Sequence, residues 1–228
     1  MNIDLIKQNL RTIPDFPKKG IMFRDITTVL KNPACLRELA NGLTGYYTGL
    51  GITKVLGIES RGFILGPIIA NNINAGFITI RKPGKLPAET ISQEYKLEYG
   101  TDKIEIHKDA LTPDDIVLIH DDLMATGGTM KAAYDLCKKL GVKKIYINCI
   151  VELVDLKGRE VFPEGTDVYC PVTYKGEWCL ERIEWKWKGS DRELTRTIPF
   201  FCWNVLRETE GLCLGLLSSF SLLSRPVL

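Results

Sequence analysis

The sequence predicts an α/β protein built on a twisted, mostly parallel central sheet flanked by helices, on three observations. Apolar runs of strand length alternate along the chain with segments of helical periodicity. One of these runs, Ile116-Val117-Leu118-Ile119, is apolar at every position, as a strand covered on both faces must be. The 228 residues, 45% hydrophobic and 25% charged, can bury a full core without metal or disulfide staples, which excludes disordered and fibrous classes.

The elements follow in order. Asn32-Pro33 supplies an N-cap and a proline at the first helical position, and Leu36, Leu39, Leu43, Tyr46, Tyr47 and Leu50 recur at helical spacing behind it. Lys54 to Ile58 reads as a strand, Phe63 to Ile73 as a helix, and Phe77 to Ile80 as the next strand. Arg81 to Gly100 is charged and punctuated by proline and glycine, so it reads as a long loop, with a short alternating strand at Ile104-Glu105-Ile106 after it. Thr112-Pro113-Asp114-Asp115 turns the chain into Ile116–Ile119. Met130, Ala133, Tyr134, Cys137 and Leu140 mark one face of a helix that Gly141 ends, and Ile145 to Val151 is a further buried strand.

Composition removes several function classes. Thirty basic against 28 acidic residues leave a net charge of +2, too small an excess to argue for nucleic acid or membrane binding. The seven cysteines are scattered, form no CxxC, and accompany only two histidines, so a zinc site is not expected and a reduced, cytoplasmic setting is. The N-terminus lacks the charged-then-apolar design of a signal peptide. No run reaches the roughly 18 apolar residues of a membrane span; Gly211 to Leu223 is shorter and broken by Ser218, Ser219 and Ser221, and reads as a packed or aggregation-prone tail.

Chemistry concentrates after the Ile116–Ile119 strand. Its carboxyl end is where open α/β sheets bind ligands. Asp121 and Asp122 follow, and then Ala125-Thr126-Gly127-Gly128-Thr129 turns into a helix. Glycines let the backbone approach an anion, and successive amide N–H groups with the helix N-terminus hold a phosphate. Thr126 and Thr129 add hydroxyl donors. Two carboxylates beside a phosphate would repel it unless they face donors, and ribose hydroxyls are such donors. A sugar phosphate therefore satisfies the whole pattern. An ordinary capped turn would not require an acid pair, small residues and threonines in one register. A Walker A loop is excluded, because no Gly-Lys-Ser/Thr follows the glycines, and a dinucleotide fingerprint lacks its GxGxxG spacing.

At this motif the sequence resembles the type I phosphoribosyltransferases, and among them the adenine phosphoribosyltransferases. The closer likeness rests on Pro14-Asp15-Phe16-Pro17-Lys18-Lys19-Gly20 leading to Phe23-Arg24-Asp25-Ile26, on Glu59-Ser60-Arg61-Gly62-Phe63, on Arg81-Lys82-Pro83-Gly84-Lys85-Leu86-Pro87, and on Tyr95-Lys96-Leu97-Glu98-Tyr99-Gly100. Val151-Glu152-Leu153 and Leu156-Lys157-Gly158-Arg159 also fit, so the likeness runs from about residue 3 to residue 177. It implies the type I phosphoribosyltransferase fold with a small N-terminal hood over the base and a flexible loop from about Lys82 to Gly100. It implies a reversible transfer in purine salvage: adenine attacks C1 of phosphoribosyl diphosphate, AMP forms, and pyrophosphate leaves with Mg²⁺ on the diphosphate and no direct protein ligand to the metal.

By the same resemblance, Ala125, Thr126, Gly127, Gly128 and Thr129 bind the 5′-phosphate, and Asp121 and Asp122 the ribose hydroxyls. Ser60, Arg61, Lys82 and Lys85 meet the pyrophosphate. Met22 and Arg24 read the adenine edge through their backbone, with Phe23 packed on the ring. The transition state resembles an oxocarbenium ion with a departing dianion, so stabilising the leaving group is the main electrostatic task and Arg61 is placed for it. The purine loses a proton as it bonds to the sugar, and Glu98, on the long loop with Tyr95 and Tyr99, is the candidate to assist. A homodimer is also implied.

Each reading has a plainer counterpart. Arg61 could be a surface ion-pair residue, Phe23 ordinary core, Glu98 a solvated loop acid, and Arg81, Lys82 and Lys85 a solvated charge run. His120 stands where the family carries an aliphatic residue, and as a lone histidine at a strand end it reads as a packed residue and not an acid–base group. Two rival functions remain open on sequence: the same transfer to another base, such as xanthine, hypoxanthine, guanine or orotate, and a phosphoribosyl-diphosphate-sensing regulator without catalysis. The hood and loop segments argue against the first, and the absence of a helix-turn-helix pattern or charge excess against the second. Residues 1–177 are read as the catalytic domain. All four tryptophans and three of the seven cysteines lie after Glu177, which sets residues 178–228 apart as an extension of unknown role.

Overall fold

The computed structural model describes residues 1–16, 21–96, 101–175, 183–188 and 193–198. The chain divides into two compact units, one formed by Met1–Thr12 and Arg24–Gly176, the other by Ile13–Phe23 and Glu177–Leu228.

Near the N-terminus, α1 (Ile3–Asn9) starts on the side chain of Asn2, which accepts from Leu5 N at 3.0 Å. The strands β1 (Arg11–Pro14) and β2 (Met22–Asp25) form a two-stranded sheet. After the single turn α2 (Thr27–Leu30), α3 (Pro33–Tyr47) begins as its sequence dictates: Asn32 Oδ1 accepts from Ala34 N at 3.0 Å, and Pro33 occupies the first turn.

The body of the first unit alternates strand and helix: β3 (Lys54–Ile58), α4 (Gly62–Asn72), β4 (Gly76–Ile80), β5 (Thr90–Lys96), β6 (Thr101–His107), β7 (Ile116–Met124), α5 (Gly128–Lys139), β8 (Lys144–Leu153), β9 (Asp167–Tyr169) and β10 (Val172–Tyr174). The central sheet runs β10-β8-β7-β3-β4, every pairing parallel, with β9 alongside the start of β8. The apolar run of β7 is covered on both sides. Val117 and Ile119 pack with α5 residues such as Met130, Ala133 and Cys137, while Leu118 packs with Leu39, Leu43 and Ile69 of α3 and α4. In the second unit, β11 (Ile183–Lys188) and β12 (Glu193–Ile198) pair antiparallel.

Two expectations change. The long loop foreseen from Arg81 to Gly100 instead holds β5, which pairs antiparallel with β6 in the register Ile91↔Ile106 and Tyr95↔Asp102. Its polar alternate residues hide a one-faced strand: Ile91 and Tyr95 join Ile104 and Ile106 in the core, and β5 packs against α5. β7 also runs further than its apolar stretch, to Met124, because β8 continues beside it through the pairs Asp121↔Cys149, Leu123↔Val151 and Met124↔Glu152. The acid pair therefore belongs to the last strand positions and not to the loop after them.

Candidate active site

A cavity of about 220 Å³ opens at the carboxyl end of β7, lined by Arg61 and by the chain from Asp121 to Met130. All five predicted phosphate-cradle residues, both acids and Arg61 thus meet in one place. Gly127 caps α5 with φ +80°, the left-handed region that disfavours a side chain. The helix then starts at Gly128, which leaves the N–H groups of its first turn without partners inside the helix and available to an anion.

The acids differ. Asp122 is buried and accepts a hydrogen bond from Arg61 Nε, so the arginine predicted for the pyrophosphate and an acid predicted for the ribose are joined as an ion pair. Asp121 Oδ1 accepts from the backbone N–H of Asp122 at 2.9 Å. Burial, followed by the neighbouring charge of Asp122, pushes the Asp121 carboxyl well above the usual carboxylate range. Asp121 is thus inclined to hold its proton, and a protonated carboxyl can donate as well as accept.

Ser60 and Arg61 lie between β3 and α4, next to the cradle because β3 pairs with β7 through Gly57↔His120. The Glu59–Ser60 peptide is cis. Glu59, quoted in the sequence only as part of a motif, organises the neighbouring basic residues: it accepts from Lys85 Nζ at 2.5 Å, from Lys82 N at 3.0 Å and from Arg81 Nε at 3.3 Å. The Lys85 bond is the largest influence holding its carboxyl down to about 2. Lys82 Nζ donates to Asp102 and meets Tyr95 Oη at 3.1 Å. The solvated-charge-run reading of Arg81, Lys82 and Lys85 is therefore replaced by a network, which no local spacing could reveal because its acids lie some 20 residues away on other elements.

Met22, Phe23 and Arg24, the residues predicted for the adenine, all lie on β2. The Phe23 ring stands edge-to-face on Phe16 at 5.1 Å in the second unit. Arg24, in the first unit, is buried with its guanidinium 4.0 Å from the centre of the Tyr174 ring, and it donates to Thr12 Oγ1. Glu98 and Tyr99 fall outside the described residues.

His120 is fully buried. Asn148 spends its amide nitrogen on Tyr169 O at 2.9 Å, so its oxygen accepts, and His120 Nδ1 donates to it at 2.6 Å. Burial pushes the imidazole down to about 4, so the ring is neutral. That is the packed residue the sequence suggests; its partner Asn148, 28 positions on, gave no signal of its own. Among the described residues, no cluster of three or more His, Cys, Asp or Glu side chains could hold a metal.

The phosphoribosyl transferase domain family matches residues 25–178. The adenine phosphoribosyltransferase of Bacteroides thetaiotaomicron is 58% identical over 173 residues, 76% of this chain and 98% of that protein. Among solved structures, the adenine phosphoribosyltransferase of Rhodothermus marinus superposes with a TM-score of 0.71 at 46% identity, covering 75% of this chain and 98% of that one. The Giardia lamblia APRTase complexed with 9-deazaadenine gives 0.73 at 45% identity over 76% and 98%. With the cradle, the acid pair and the Ser60-Arg61 loop in these places, the chain belongs to the phosphoribosyltransferase family, on its adenine phosphoribosyltransferase branch.

Proposed function

We propose that the chain makes AMP and pyrophosphate from adenine and 5-phosphoribosyl 1-diphosphate, as a glycosyltransferase of purine salvage. The observation that carries this reading is the single cavity joining a helix-capped phosphate cradle to an acid pair and to Arg61. A phosphate seats on the first-turn N–H groups and on the hydroxyls of Thr126 and Thr129, while Asp121 and Asp122 accept from and donate to the ribose hydroxyls. C1 of the sugar then faces the loop after β3, where Ser60 and Arg61 take the departing diphosphate, with Lys82 and Lys85, from beyond β4, held to Glu59 of the same loop. Met22, Phe23 and Arg24 are assigned to the base on the sequence resemblance. Proton loss from the base is assigned to Glu98, on the sequence resemblance alone.

Positive charge gathered at the leaving group lowers the barrier most, since the transition state separates a cationic sugar from a dianion. Magnesium fits this site as a passenger on the diphosphate: the chain's own oxygen donors there are two carboxylates, one of them engaged by Arg61, too few for an all-protein cage. When bound, it neutralises charge on the diphosphate. A cytoplasmic homodimer is part of the proposal, supported by the family resemblance. Among the described residues, no helix is long and apolar enough to cross a membrane. Residues 1–177 are taken as the catalytic domain, since the family model matches residues 25–178, and residues 178–228 as an extension to it.

Pyrophosphate release from phosphoribosyl diphosphate with a panel of adenine, hypoxanthine, guanine, xanthine and orotate tests the proposal. Turnover with adenine alone is expected. Turnover with another base and none with adenine would overturn the substrate; binding of the activated sugar without turnover of any base would overturn catalysis.

A further inference from the structure

Behind the phosphate cradle lies a structure that no step of the transfer uses. Met124, at the end of β7, is paired in register with Glu152 on β8. Past Glu152 the chain makes two short 3₁₀ turns, Val154–Leu156 and Gly158–Val161, joined by Lys157 at φ +55°. A residue with a Cβ adopts that conformation only where its surroundings hold it. Arg159 is the holder. Its Nε and Nη2 each donate to one oxygen of Glu152, both at 2.7 Å, and its Nη1 donates to Val168 O at 2.6 Å. Glu152 is 3% exposed, and a two-pronged fork on a buried carboxylate fixes direction as well as distance.

The clamp seats Gly158 against the back of the cradle. A Cβ on Gly158 would lie 2.4 Å from Ala125 O and 3.2 Å from Gly127 N, and a Cβ on Gly127 would lie 2.4 Å from Gly158 O. The closest approaches there are to backbone oxygens, with the Met124 and Val161 side chains packed alongside at 2.9 Å from the same Cβ positions, so the turn has little room to shift. Any movement of the Gly158 turn is therefore passed directly to the residues that must meet a phosphate.

We infer that Glu152 and Arg159 are positioning residues of the phosphoribosyl site: through Gly158 they set where Ala125–Gly127 stand, and so set affinity for a sugar phosphate that they do not touch. The inference rests on the reading that Ala125–Thr129 hold the 5′-phosphate. Loss of an ion pair that only stabilised the fold would lower the melting temperature and leave the folded protein's ligand preferences alone.

The test separates the two halves of the substrate. Ribose 5-phosphate and magnesium pyrophosphate are titrated separately by calorimetry into the full-length chain, as wild type, Arg159→Met and Thr129→Val. Arg159→Met is expected to weaken ribose 5-phosphate about ten-fold or more, a sub-ångström misplacement being enough for that, and to leave pyrophosphate within about two-fold, because its site is on the loop after β3. Thr129→Val, which removes a cradle hydroxyl, should also weaken ribose 5-phosphate alone. If Thr129→Val weakens it and Arg159→Met does not, the positioning role is wrong and the cradle reading stands. If neither does, the cradle reading falls and the inference with it. Equal weakening of both ligands by Arg159→Met would also overturn it. Should Arg159→Met fail to fold, Arg159→Lys keeps the charge and loses the fork; an intermediate loss for ribose 5-phosphate alone is then expected, and wild-type affinity would overturn the inference.

Discussion

Replacing His120 by leucine should flatten the dependence of stability on pH between about 4 and 6.5. The imidazole is 0% exposed, and burial drives it from its ordinary 6.5 down to about 4, against smaller opposing influences from the Asn148 hydrogen bond and from Asp122. In the unfolded chain it titrates near 6.5, so across this window the unfolded state binds a proton that the native state refuses. Stability therefore rises with pH there and is lost as the pH falls from about 6.5 towards 4. At roughly 1.4 kcal/mol per pH unit, the full window is worth about 3 kcal/mol, a large part of a typical 5–15 kcal/mol total. Two other sets of groups overlap at the edges. Asp25 and Glu59, both held down to about 2, contribute stability that is lost only as the pH falls below their unfolded values near 4. Asp121, with a raised pKa, acts in the opposite sense, favouring the fold as the pH falls. Subtracting the variant's curve from the wild type's removes these shared contributions. Leucine leaves the Asn148 oxygen without its 2.6 Å donor, so the variant should start about 1–3 kcal/mol less stable at pH 7. Urea unfolding of both chains at pH 7 and pH 4.5 is the assay, and the wild type's advantage should shrink by about 2–3 kcal/mol at the lower pH. Two parallel curves across that range would refute a buried neutral histidine at this position.

Gly127→Ala forces a Cβ into the left-handed region and to within 2.4 Å of Gly158 O, so it should cost about 2–4 kcal/mol in calorimetric unfolding and raise KM for phosphoribosyl diphosphate; an unchanged melting temperature would contradict the packing described. Asp122→Asn breaks the ion pair with Arg61 and removes the second-largest influence raising Asp121. Ribose 5-phosphate binding should weaken about ten-fold, and the pH at which Asp121 titrates in a binding profile should move down; an upward move would mean the two carboxyls do not interact as placed.

The parallel sheet was legible because its strands announce themselves twice, by unbroken apolar runs and by capped helices between them. Ile116–Ile119 needed apolar residues on both faces, and Asn32-Pro33 and Gly141 marked their helix ends chemically. Where one face of an element meets solvent and the other meets a partner distant in sequence, the signal thins. β5 carries Glu94 and Gln93 between Ile91 and Tyr95, and only the register with β6 and the contact with α5 decide that it is a strand. The extension of β7 to Met124 has the same origin: Asp121 and Asp122 are poor strand residues, and the matching length of β8 keeps them in the sheet.

The active site divides along the same line, between what a backbone requirement writes into neighbouring residues and what a side-chain pairing leaves spread along the chain. Gly127, Gly128, Thr126 and Thr129 must be contiguous because a loop turning into a helix builds the cradle, so the motif was readable in one place. Arg61 with Asp122, Glu59 with Lys85, His120 with Asn148 and Glu152 with Arg159 are pairings of which all but the last join elements far apart in the sequence. Either member of such a pair looks like an ordinary charge or core residue until the fold brings its partner. The consequence is mechanistic. The readable residues are those proposed to meet substrate through the backbone, whereas the unreadable pairs join the elements that carry that backbone. A chain with the cradle motif intact and these pairs broken would keep the sequence signature of the family and bind its sugar phosphate poorly.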